Sequence, residues 1–185
     1  GHIGLHLIKM GRGFDMKVLA FDANRNDFQA DVLGFKYVGL EELLKNSDII
    51  SLHVPDNPAT HHLINKNNIK LIKKGAILIN TARGEIVETE ALLRALNDGR
   101  IAGAGLDVLE GERDLKEERK ILTGPSMRLE NMRKLVEDHV LIDLPQVVVT
   151  PHVAFYTKEA VGRIMETTAQ NILEFTKKSP QNIVN

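Results

Sequence analysis

Several polar residues in this chain stand just after short apolar runs, and their types suit a single chemistry. Arg83 follows the run Ile77-Leu78-Ile79-Asn80-Thr81-Ala82, Asp107 and Glu112 follow Gly103-Ala104-Gly105-Leu106, and His152 follows Val147-Val148-Val149-Thr150-Pro151. The planar fork of an arginine can clamp a carboxylate and polarise a neighbouring carbonyl. A histidine exchanges a proton near neutral pH, and a glutamate beside it can hold its tautomer and raise its pKa. Together these groups suit reduction of a 2-keto acid to a 2-hydroxy acid. The hydride for such a step has to come from a cofactor, because no side chain supplies one.

The first residues point to that cofactor. Gly1-His2-Ile3-Gly4 is followed, after Lys17-Val18-Leu19-Ala20-Phe21, by Asp22. This matches the second half of a G-x-G-x-x-G fingerprint, in which helix amides hold a pyrophosphate and an acid some 20 residues on takes the ribose hydroxyls. Gly1 and Gly4 are then the second and third glycines, and the first glycine and the strand before it are expected to be missing. An acid at position 22 prefers a free ribose hydroxyl to a phosphate, which favours NAD over NADP, although Arg25 lies nearby. Another apolar run ends at His53-Val54-Pro55, and His53 is expected near the nucleotide without a chemical role.

These residues have to be positioned by regular elements. Strands are expected at Lys17–Phe21, Asp48–Val54, Ala76–Asn80, Gly103–Val108 and Val147–Thr150, each nearly continuous in apolar residues, as in parallel strands buried on both faces. Helices are expected near His2–Gly11, Leu40–Lys45, Lys66–Ile72 and Glu88–Asn97, the last stopped by Asp98-Gly99. The alternation argues for an α/β fold of Rossmann type, a doubly wound parallel sheet that binds ligands beyond the carboxyl ends of its strands. Residues 111–144 read as an insertion with a short helix near Met127–Val136. Val161, Ile164, Met165, Ala169, Ile172 and Leu173 then follow helical spacing after the candidate N-cap Thr157, predicting a long helix with one face packed on the body.

Bulk properties narrow the class. At 185 residues, with 43% hydrophobic and 26% charged positions, the chain suits one soluble globular domain and part of a second. Its 24 basic and 25 acidic residues give no electrostatic case for nucleic acid or an anionic membrane. There are no cysteines, which excludes disulfides, thiolate metal sites and thiol catalysis and is compatible with a reducing, cytoplasmic location. The pair His61-His62 has no third ligand near it in sequence, so no metal is expected. His6 and His139 read as structural or solvent-facing.

Three segments carry a family resemblance: Thr81-Ala82-Arg83-Gly84, Gly105-Leu106-Asp107-Val108 through Glu112, and Thr150-Pro151-His152-Val153-Ala154-Phe155-Tyr156-Thr157. Their order and spacing resemble the D-isomer-specific 2-hydroxyacid dehydrogenases, from Gly1 to about Lys178. The last segment and the insertion before His152 most resemble the D-lactate dehydrogenase branch. The resemblance implies Arg83 as binder of the substrate carboxylate and carbonyl, His152 as the general acid in ketone reduction, and Glu112 as its orienting partner. It implies Asp22 at the adenosine ribose and His2 and Ile3 at the pyrophosphate. Val54, Pro55 and Thr60 fall on the adenine–ribose side, Thr81, Ala82 and Asp107 on the nicotinamide side, with Ala154 also among the cofactor-binding positions.

The resemblance also sets expectations for the rest of the molecule. Residues 1–155 form an NAD-binding domain lacking its first strand, and residues 156–185 a long helix and tail returning toward a substrate domain that is mostly absent from this chain. A homodimer joined through the cofactor domain is implied. Relatives acting on glyoxylate, hydroxypyruvate or phosphoglycerate, and corepressors that sense NADH, carry similar site residues and stand as alternatives.

Overall fold

The apolar runs become parallel strands, and the computed structural model describes residues 1–110 and 129–183. In chain order the elements are α1 (His2–Gly13), β1 (Leu19–Ala20), α2 (Asp27–Leu33), β2 (Lys36–Tyr37), α3 (Leu40–Asn46), β3 (Ile49–Leu52), β4 (Ala76–Asn80), α4 (Thr89–Asn97), β5 (Ile101–Leu106), α5 (Leu129–Asp143), β6 (Val147–Val149) and α6 (Lys158–Thr176). Short 3₁₀ turns stand at Ile69–Leu71 and Gly84–Ile86. The chain divides into two units, Gly1–Pro151 and His152–Asn185.

In the first unit the strands pair in sequence order, β3-β4-β5-β6, with β1-β2 as a separate parallel pair. Ile49 is in register with Ile77, Ile77 with Gly103, and Gly105 with Val148. The parallel series therefore breaks between β1 and β3, where the expected sheet lacks its first strand. One face of the larger sheet presents Ile50, Leu52, Leu78, Leu106 and Val147 to Leu44 of α3, Leu92 and Leu96 of α4, and Leu141 of α5. Each such side chain taken from water contributes on the order of 1.5–3 kcal/mol. The opposite face is open, contrary to the expected burial on both sides: Ile49 is 47%, Ile77 40% and Val148 67% exposed.

Three departures from the sequence reading have local causes. The helix expected at Lys66–Ile72 is only a 3₁₀ turn, because asparagine side chains bind the backbone instead. Asn68 Oδ1 accepts from Asn65 N at 2.9 Å, Asn65 Oδ1 accepts from Asn67 N at 2.9 Å, and Asn68 Nδ2 donates to Leu63 O at 2.7 Å. The elements α2 and β2 lie in a stretch where no element is expected. Asn26 caps α2 by accepting from Gln29 N at 3.0 Å, and Gly34 ends it at φ 70°. The helix expected near Met127–Val136 runs over Leu129–Asp143, and its Leu141 is part of the core.

The second unit is built on α6, where Thr157 accepts from Ala160 N at 3.1 Å as the expected N-cap. None of its residues is buried. Along its apolar stripe Ile164, Met165, Ile172 and Leu173 are at least half exposed.

Candidate active site

All four strands of the larger sheet are parallel, so β3, β4, β5 and β6 deliver their carboxyl ends to one edge. From that edge leave Val54 and Pro55, the turn Thr81-Ala82-Arg83, Asp107 and Thr150. The last residue of β4, Asn80, organises it. Buried to 1% exposure, Asn80 accepts from Ala82 N at 3.1 Å and donates through Nδ2 to Arg83 O at 2.8 Å. Its own carbonyl accepts from Asp107 N at 2.9 Å. The buried Asp107 carboxylate in turn accepts from Thr150 Oγ1 at 2.5 Å. A buried amide that satisfied leaves the turn one conformation.

Arg83 itself is exposed, with extended backbone at φ −146°, and its Nη1 donates to Ala82 O at 2.6 Å. The next residue, Gly84, is buried with its Cα against another backbone: a Cβ there would stand 2.1 Å from the carbonyl carbon and oxygen of Leu109 and 2.5 Å from Glu110 N. No side chain fits at that position. The turn that presents Arg83 is thus laid directly onto the strap Asp107–Glu110 that leaves β5.

That strap ends in Glu110, a residue the sequence reading did not single out. The Glu110 side chain is 6% exposed. Its Oε2 accepts from Thr89 N at 3.0 Å, at the start of α4, and its Oε1 accepts from His62 Nε2 and Lys134 Nζ, each at 3.0 Å. Burial by itself would raise this carboxyl, but the Thr89 amide, Lys134 and His62 outweigh it and hold the group down at about 2. The sequence offers only a weak local hint, the apolar pair Val108-Leu109 before it, and both of these are buried in the fold.

Asp22 and His53 come close to Gly1 and Gly4 at the start of α1. That helix begins at Gly1 with no side-chain cap and no acidic residue in its first turn. Its first internal bond is Leu5 N to Gly1 O at 3.1 Å, so the amides of His2, Ile3 and Gly4 precede the helical ladder, as an anion-binding terminus requires. The Gly1 amino group lies 3.6 Å from Asp22 Oδ2, and Asp22 Oδ1 accepts from Asn24 N at 2.9 Å. A Cβ on Gly4 would touch His53 Cβ at 3.8 Å, which brings the exit of β3 beside the same helix turn. His53 Nε2 meets Ser51 Oγ at 2.9 Å. Burial pushes the His53 imidazole below its usual range. Thr60 donates to Pro55 O and accepts from Asn57 N at 3.0 Å, which closes the turn beyond β3. An uncapped helix start, an acid beside it and a neutral-leaning imidazole fit the pyrophosphate and ribose of a dinucleotide.

Two further candidates, His152 and Ala154, belong to the second unit. His152 opens the second unit with a left-handed backbone, φ 55°, and its ring meets Phe155 edge-on at 6.4 Å between centroids. A non-glycine residue in that region is uncommon and is often found at functional positions. Ala154 lies exposed in the same unit. Glu112 lies outside the described residues. Of the adjacent histidines, expected at the surface, His61 is exposed beside Asp56 at 3.6 Å, whereas His62 stacks on it at 4.2 Å and turns inward to Glu110. Among the described residues there is no cluster of three or more His, Asp or Glu placed to hold a metal, and no helix is long and apolar enough to cross a membrane.

Known proteins share this arrangement over the whole chain. The family model for "D-isomer specific 2-hydroxyacid dehydrogenase, NAD binding domain" matches residues 1–154. A D-specific alpha-keto acid dehydrogenase of Enterococcus faecium is 39% identical over 181 residues, covering 96% of this chain and 51% of the relative. A glyoxylate reductase of Thermococcus litoralis is 41% identical over 186 residues, covering 100% of this chain and 50% of the relative. The structure of D-lactate dehydrogenase from Aquifex aeolicus, complexed with NAD and lactic acid, superposes with a TM-score of 0.86 at 40% identity, over 97% of this chain and 52% of that one. The chain therefore spans about half the length of the relatives it matches. With its parallel sheet, flanking helices and dinucleotide cradle, it belongs to the D-isomer specific 2-hydroxyacid dehydrogenase family and carries that family's NAD binding domain.

Proposed function

We propose that the polypeptide containing this chain interconverts a 2-keto acid and a D-2-hydroxy acid, with pyruvate and D-lactate as the first pair to test. NAD supplies or receives the hydride when bound. Arg83 holds the substrate carboxylate and polarises its carbonyl, His152 gives the carbonyl oxygen its proton in the reducing direction, and Glu112 keeps His152 oriented and charged. Asp22 takes the ribose hydroxyls, and the amides of His2 and Ile3 take the pyrophosphate. Gly1 and Gly4 serve as the second and third glycines of the fingerprint, and His53 lies near the nucleotide. Val54, Pro55 and Thr60 line the adenine–ribose side, Thr81, Ala82 and Asp107 face the nicotinamide side, and Ala154 also binds the cofactor. Residues 1–155 act as the cofactor domain, and 156–185 return toward a substrate domain. The assembly is a homodimer, and its location cytoplasmic.

The observation that carries this reading is the turn after β4, clamped by Asn80 and seated on the strap after β5, which carries Arg83 at the carboxyl edge of the sheet. Glyoxylate is the competing substrate, because a glyoxylate reductase is as similar to this chain as the keto-acid enzymes are. Turnover of NADH by the intact polypeptide on pyruvate, glyoxylate, hydroxypyruvate and longer 2-keto acids decides between them. His152→Gln should cost about 10²–10⁴-fold in turnover, the usual worth of a general acid, with NADH binding retained. Wild-type turnover in that variant would remove His152 from the mechanism.

A further inference from the structure

Glu110 closes a frame around the turn that carries Arg83. On one side of that turn, the 62–64 segment runs along residues 85–87: His62 N donates to Glu85 O at 2.8 Å, Ile64 N to Ile86 O at 3.1 Å, and Glu88 N to Ile64 O at 2.9 Å. His62 sits at φ 49°, and its carbonyl accepts from Asn65 Nδ2 at 2.8 Å, so its ring is directed by a fixed backbone. On the other side lies the strap whose Leu109 and Glu110 backbone leaves no room for a Cβ on Gly84. The Glu110 carboxylate binds His62 from the first side, Thr89 at the start of α4 just downstream, and Lys134 of α5 behind. One side chain thus joins the 62–64 segment, the start of α4 and α5 to the strap on which Gly84 is seated.

We propose that Glu110 is a positioning residue for Arg83: by locking the strap to His62, α4 and α5 it fixes the backbone from which Arg83 meets the carboxylate of a 2-keto acid. The inference rests on the role of Arg83 proposed above. A guanidinium recognises a carboxylate through two parallel bonds, and that geometry tolerates little drift of its base. Loss of the Glu110 charge should therefore weaken substrate binding more than NADH binding. The proposed adenosine and pyrophosphate contacts lie outside the turn and the strap, and only the nicotinamide-side residues Thr81, Ala82 and Asp107 belong to them.

The experiment is a double-mutant cycle on the intact polypeptide, using Glu110→Gln, Arg83→Lys and the pair. Its readouts are the KM for pyruvate, or for whichever 2-keto acid the substrate panel selects, the dissociation constant of that acid's non-reducible amide analogue (oxamate for pyruvate), and that of NADH. Arg83→Lys should weaken acid and analogue by about tenfold or more, and Glu110→Gln by about fivefold, with NADH weakened by about twofold or less in each. The pair should be no worse than Arg83→Lys alone, the non-additivity expected of residues acting through one group. If Glu110→Gln does not fold, His62→Phe, which removes one donor and leaves the carboxylate in place, takes its place in the cycle. Additive losses would overturn the inference. So would a Glu110 variant that yields less active enzyme with unchanged constants, since a merely structural role lowers the amount of active protein without moving KM. Unchanged binding in Arg83→Lys would instead overturn the proposed role of Arg83, and the inference with it.

Discussion

Asn80, Gly84 and Glu110 do little chemistry themselves, yet they decide where Arg83 stands. The Glu110 carboxyl is held at about 2 in the fold, against an ordinary value of 4.5. A depressed folded-state pKa stabilises the protein above the unfolded value, so this contribution is present above about pH 4.5 and is lost as the pH falls toward 2. Glu110→Gln should accordingly flatten the acid limb of the stability curve in that window, measured by urea unfolding at several pH values. An acid limb as steep as wild type would mean that other carboxylates carry it. Arg83 was legible in the sequence because it follows a strand and precedes a glycine. Glu110 was not, because a charged run looks solvated until the partners of each charge are known, and three of its partners lie 21 to 48 residues away. The long-range close approach that forbids a side chain at Gly84 was equally invisible to local pattern.

At the scale of elements, the longer apolar runs gave strands and the periodic segments gave helices, because burial dominates both signals. What periodicity missed was settled by single polar side chains. Asparagines at 65 and 68 turn an apparent helix into a 3₁₀ turn, while Asn26 and Gly34 bracket a helix with one buried residue, Ala30. Asn26→Ala should lower stability by about 1 kcal/mol, the usual worth of an N-cap, read as a shifted urea midpoint at unchanged slope. A change within a few tenths would show that water serves the Gln29 amide as well as the cap does.

For the molecule as a whole, the first unit holds two sheets of unequal strength. Strand β4 is bonded on both sides, by β3 and β5, whereas β1 and β2 have two residues each and only one another. Amide exchange should therefore be slowest at Leu78 and Ile79 and orders of magnitude faster at Leu19 and Tyr37. Equal protection would mean that the β1-β2 pair is held by something other than its own ladder. The open apolar face of the larger sheet could not be foreseen from runs that read as buried on both sides, because which face is covered depends on elements far off in the chain. Sheet order carries one more consequence. Since β3 to β6 lie side by side in the order in which a ribosome makes them, each emerging strand finds the edge left by the one before it. A nascent chain need never open a finished pair to admit a later strand, and stalled chains that end after β5 should already hold β3, β4 and β5 together.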